Sequence, residues 1–116
     1  MNTTTTLAIA SLSLAFATCA YAAPAADNWD GSCAKCHSAD GSGSGKIGKK
    51  LKLKDYTDTA VQATLKDEDM TKAIKDGVKD DAGAEKMKAF KDELSDAEVA
   101  DLITYIRKMP EMKKAG

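Results

Sequence analysis

Cys33-Ala34-Lys35-Cys36-His37 restricts this chain more than any other stretch, because it places two cysteines three apart and follows them at once with the only histidine. On a helix, residues three and four apart share a face, so both thiols and the imidazole project to one side. Three chemistries use such a grouping: a redox dithiol, a metal site, and covalent attachment of haem. The surrounding sequence discriminates among them.

The first 26 residues carry no charged side chain. Leu7 to Ala20 is apolar with small polar breaks, and Ala20-Tyr21-Ala22 follows as a small-x-small cleavage site. This is the layout of a secretory signal peptide over 1–22, too short for a comfortable membrane span, although its start has no Lys or Arg. Residues 23–116 are then one exported domain, expected in a bacterial periplasm and not embedded in a membrane. Cys19 falls inside the export segment, and Phe16-Ala17-Thr18-Cys19 is a poor match to a lipoprotein acylation site. Cys33 and Cys36 are the cysteines that remain. A disulfide between them would close a tiny loop and constrain little. A domain of roughly ninety residues has a marginal core of its own, which a large apolar cofactor would complete. The net charge of −1 argues against a general nucleic-acid binder.

Hydrophobic periodicity predicts an all-α chain. A first helix is expected from about Asn28 into the cysteine motif, a second around 59–65, and a third over Asp67–Asp76 with Gly77 as its stop. Gly41-Ser42-Gly43-Ser44-Gly45 reads as a flexible loop, and 80–85 as polar and irregular. The last helix has the clearest signals. Ser95 and Glu98 form a capping box, Val99, Leu102, Ile103 and Ile106 make an apolar stripe, and Pro110 is expected to mark its end.

That context removes two of the three chemistries. A thioredoxin-like dithiol needs a central sheet, and no stretch alternates with strand periodicity. Structural zinc and iron–sulfur sites need four ligands, and no second knuckle exists after the export segment. Haem attachment uses Cys33 and Cys36 as thioether anchors to the two vinyl groups and His37 as the proximal iron ligand. Gly43-Ser44-Gly45-Lys46-Ile47-Gly48 matches a dinucleotide fingerprint only by letter, since no strand precedes it.

Three further segments resemble the class I, monohaem cytochromes c, particularly the small bacterial and algal-type soluble carriers. Trp29 lies four residues before Cys33, where that family has an aromatic packed on its C-terminal helix. Asp101-Leu102-Ile103-Thr104-Tyr105-Ile106-Arg107-Lys108 resembles that terminal helix, and Glu85-Lys86-Met87-Lys88-Ala89-Phe90 resembles the segment supplying the sixth iron ligand. The resemblance implies a cytochrome c fold of four to five short helices around one covalent haem c, with Met87 as the distal ligand. It departs from the family at Lys88, where proline is common, and at Lys49, whose carbonyl is expected to accept the His37 Nδ1–H bond. Methionine also fills ordinary core gaps, and Met70, Met109 and Met112 are rivals placed on a core stripe or near the last helix end.

An iron bound by both His37 and Met87 has no open site, which implies a one-electron carrier between redox proteins and not an enzyme. The alternative is a haem-based binder or sensor of small gases with Met87 weakly held. Leu51, Leu53, Leu65, Ile74, Phe90, Leu102 and Ile106 are candidates to pack near the porphyrin. Lysines between 46 and 54, with Lys35, Lys86, Lys88 and Lys91, either ring an exposed haem edge as a docking patch or form a solvated surface. Without haem the chain is expected to be largely unfolded.

Overall fold

The structure is a computed structural model that describes residues 22–116. Cys19 and almost all of the expected export segment therefore lie outside the described residues. The first helical run is continuous: α1 (Ala25–Asn28), a π-helical segment (Trp29–Cys33) and α2 (Ala34–His37). It begins three residues before the expected start, directly after Pro24, and ends at Ser38 with φ 70°. The next helix, α3 (Lys46–Leu51), has no strong sequence signal. Lys46, Lys49 and Lys50 repel one another at helical spacing, so the helix depends on packing against α2.

Helices α4 (Thr59–Thr64) and α5 (Asp67–Asp76) stand close to their expected positions. Asp58 caps α4 by accepting the Ala60 N–H at 2.8 Å, and Asp67, Glu68 and Asp69 supply favourable charge to the first turn of α5. The segment expected to be irregular, 80–85, is irregular up to 84, and it forms the turn of a small antiparallel ribbon that the sequence did not predict, β1 (Val78–Lys79) with β2 (Glu85–Met87). Its turn is organised by Asp80, whose Oδ1 accepts the N–H groups of Ala82 and Ala84 at 3.0 and 2.8 Å. A ribbon this short leaves the chain all-α in class.

Helix α6 (Asp96–Arg107) carries the full capping box: Ser95 Oγ accepts the Glu98 N–H, and the Glu98 carboxylate accepts the Ser95 N–H. Glu98 also accepts from Asn28 Nδ2 at 2.8 Å, a bond that holds its carboxyl below the ordinary range and ties α6 to the first helix. Pro110 follows the end of α6 at Arg107, as expected, but does not end the helical structure. It sits in the first turn of α7 (Met109–Ala115), where its missing N–H leaves no bond unmade.

The core forms where the first and last long helices meet. Trp29, Leu102 and Met109 are almost wholly buried, and the Trp29 and Tyr105 rings stand 6.0 Å apart. Arg107 fastens the far side of α6 to the α4–α5 corner. Its guanidinium donates to the carbonyls of Gln62 and Leu65, each at 2.8 Å, and to Asp67 Oδ1 at 2.7 Å. Gln62 Nε2 in turn donates to the carbonyls of Tyr56 and Ile106, both at 2.8 Å. A planar fork can satisfy several acceptors at once, which a lysine ammonium cannot. Replacing Arg107 with Ala is expected to lower the unfolding free energy by about 2 kcal/mol, with Lys restoring less than half, as read by chemical denaturation.

Candidate haem site

Two lobes of about 390 and 550 Å³ share Cys33, His37, Lys54, Tyr56, Ala73, Val78 and Met87 in their walls, and so make one cleft. Its size falls within the roughly 300–1,000 Å³ of small-molecule and cofactor sites. The smaller lobe is backed by Trp29, Ile74, Leu102 and Ile106, the larger by Leu51, Leu53 and Phe90. All seven apolar residues expected near a porphyrin line one lobe or the other.

The four site residues expected from the sequence are brought together. Cys33 and His37 line both lobes, Cys36 lines the larger one, and Met87 reaches both from the end of the ribbon. Both thiols are free. Burial, with a smaller contribution from Cys36, pushes the Cys33 thiol up to about 11. A redox-active thiol needs the opposite shift, so the dithiol chemistry is disfavoured by electrostatics as well as by the missing sheet.

His37 belongs to a cluster of three mutually packed rings, with Trp29 and Tyr56 themselves 6.4 Å apart. Its imidazole stacks on Tyr56 at 5.4 Å between centroids and lies 5.8 Å from Trp29. Trp29 Nε1–H donates to the carbonyls of both Ser38 and Ala39 at 3.1 Å, fixing the turn that follows the histidine. Burial lowers the His37 pKa and so favours the neutral imidazole, the form that ligates metals. Among the described residues, His37 Nδ1 is the one buried side-chain nitrogen or oxygen without a hydrogen-bond partner. The bond expected from it to the Lys49 carbonyl is not made. Lys49 lies inside α3, where its carbonyl accepts from the Lys52 N–H at 3.3 Å along the helix.

Sequence reasoning did not place Tyr56 or Val78 in the walls, and it named Lys54 only within the lysine run. Tyr56 and Lys54 line both lobes, and nothing in their local sequence marks them, because a loop far from the motif brings them there. Met70 lines the smaller lobe, so this rival methionine is on the same cleft as well as on the inner face of α5. It does not line the lobe that contains Cys36, whereas Met87 lines both.

A helical shell around an apolar cleft, with two free thiols and a neutral imidazole on one helical run, defines the class of small c-type haem proteins. The cytochrome c family model matches residues 22–110, and the chain belongs to that family. The solved c-type cytochrome KustC0563 is similar, with a TM-score of 0.65 and 26% identity over 75% of this chain and 98% of that one. No curated protein is significantly similar to the sequence. The chain is thus a monohaem class I cytochrome c in fold, and its family carries covalently attached haem c for electron transfer. The donor set fits that group: two thiols, one neutral imidazole with an unpartnered buried nitrogen, and apolar walls.

Gly48 sets how closely α3 approaches the motif. A Cβ there would fall 2.2 Å from the Gly43 carbonyl oxygen and 2.9 Å from that of Cys36. Backbone lies on backbone, with no flexible side chain to give way. Gly48→Ala is therefore expected to cost about 1–3 kcal/mol of stability in thermal or denaturant unfolding, while Lys49→Ala, at an exposed position, costs well under half of that.

Proposed function

We propose that this protein carries single electrons between redox proteins, through one haem held by Cys33, Cys36, His37 and Met87. The observation that carries the reading is the convergence of Cys33, His37 and Met87 on the walls of both lobes of one cleft, although Met87 lies fifty residues away from His37 in the chain. When bound, the haem supplies a one-electron couple whose reduced state is favoured by a thioether ligand and an apolar setting.

The chain's own residues do the rest. Cys33 and Cys36 would hold the group through two thioethers. His37 offers a neutral nitrogen from a ring packed against both Tyr56 and Trp29. Met87 would hold the iron together with His37 and leave no open position for substrate, while Ile74, Leu102 and Ile106 give the cleft apolar walls that exclude water. Such a site transfers electrons and performs no substrate chemistry.

Lys35, Lys52, Lys54, Lys86 and Lys88 all stand at the larger lobe and give its rim a positive field that steers acidic redox partners. Lys88 also pairs with Glu93 and lies over the Phe90 ring, which tempers its part in docking. Residues 1–22 are read as an export signal and 23–116 as the periplasmic carrier. No helix among the described residues is long and apolar enough to cross a membrane.

Carbon monoxide tests the reading. The ferrous protein is expected to resist it at neutral pH, Met87→Ala to bind it readily, and Met70→Ala to resist it like the wild type. Ready binding by the wild type would favour a gas-binding protein with a weakly held Met87. Loss of resistance in Met70→Ala alone would transfer the ligand role to Met70.

A further inference from the structure

A point of bare backbone lies directly beneath the segment that carries Met87. Gly77 closes α5 at φ 76° and ψ −178°, a combination restricted essentially to glycine. A Cβ built on it falls 2.5 Å from the Met87 carbonyl oxygen, 2.9 Å from the Ala89 nitrogen and 3.1 Å from the Lys88 carbonyl carbon. All three are backbone atoms, so none can swing aside.

The same segment is fastened before and after that contact. Val78 pairs with Met87 in the ribbon. Beyond Met87, the Phe90 N–H donates to the Ile74 carbonyl at 2.9 Å and the Lys91 N–H to the Lys75 carbonyl at 3.2 Å. The otherwise unmatched carbonyls at the end of α5 thus bind the strap that follows Met87. Ile74, one of these anchors, is itself buried in the core.

We propose that Gly77 is the positioning residue for Met87: its missing side chain lets the 87–89 backbone settle onto the end of α5, and this depth sets the reach of the thioether into the cleft. The inference rests on the reading of Met87 as an iron ligand. It adds that the firmness of ligation is decided by a residue that contributes no side chain to the site.

Gly83 provides the control. It also has a positive φ, 83°, but nothing lies within 4 Å of a Cβ built there. The experiment compares haem-loaded, full-length Gly77→Ala and Gly83→Ala with the wild type. Gly77→Ala is expected to lose most of the weak long-wavelength sulfur-to-iron absorption of the ferric form, to show a lower midpoint potential, and to bind added imidazole about tenfold or more tightly. Gly83→Ala is expected to match the wild type in all three. A Gly77→Ala protein that is merely less stable, with absorption, potential and imidazole affinity unchanged, overturns the proposal.

If Gly77→Ala gives no folded protein, hydrogen exchange on the wild type still decides. The Gly77 and Phe90 amides must open at the same denaturant concentration at which the sulfur-to-iron absorption disappears, and separate transitions overturn the proposal. A wild type without that absorption overturns the ligand reading itself, a result distinct from either of these.

Discussion

The cleft between the first helical run, α5 and the ribbon is the constraint on which the rest of the structure depends. Side chains that would ordinarily close a core against one another, among them Ile74, Phe90, Leu102 and Ile106, also face this space. A chain with only Trp29, Tyr56, Phe90 and Tyr105 as aromatics after the export segment has little else with which to fill it. Large apolar surface facing a cavity loses both dispersion contacts and the gain from exclusion of water. Covalent haem would supply the missing contacts and could not diffuse away, so that one group would serve both as redox centre and as core.

The polar clamps fit that requirement. Asn28, Ser95 and Glu98 join the start of α6 to the first helix, while Arg107 and Gln62 join its end to the α4–α5 corner. Both ends of α6 are thereby fixed around a site that α6 itself touches only through Leu102 and Ile106. Exposed ion pairs such as Lys75–Asp96 add little by comparison, because solvent screens them. Hydrogen bonds to backbone carbonyls thus hold the structure at the rim of the cleft.

Much of this was legible in the sequence because its signals are local. The Cys33-to-His37 spacing, the Ser95–Glu98 box and the stripe from Val99 to Ile106 are each contained within a few turns. Met87 was found through resemblance, and the structure places it on the cleft but at the end of a ribbon that the polar run 80–85 does not announce. Helix α3 was not legible, since its lysines oppose helix formation and its support comes from Gly48 against the 36–43 backbone. Pro110 was legible only in part: α6 does end at Arg107, just ahead of it, but proline is also well suited to starting a helix, and here it lies in the first turn of α7. Lys54 and Tyr56 reach the cleft through tertiary folding alone, which periodicity cannot express.

Completion of the core by haem is tested most directly by far-UV circular dichroism of residues 23–116. The same chain is compared with haem attached and, with Cys33 and Cys36 replaced by Ala, without it. The haem-bound protein is expected to give a helical spectrum with a cooperative thermal transition, and the other a largely unfolded chain with no transition. A cooperative, fully helical haem-free chain would contradict this, because the cleft would then be supported by protein contacts alone.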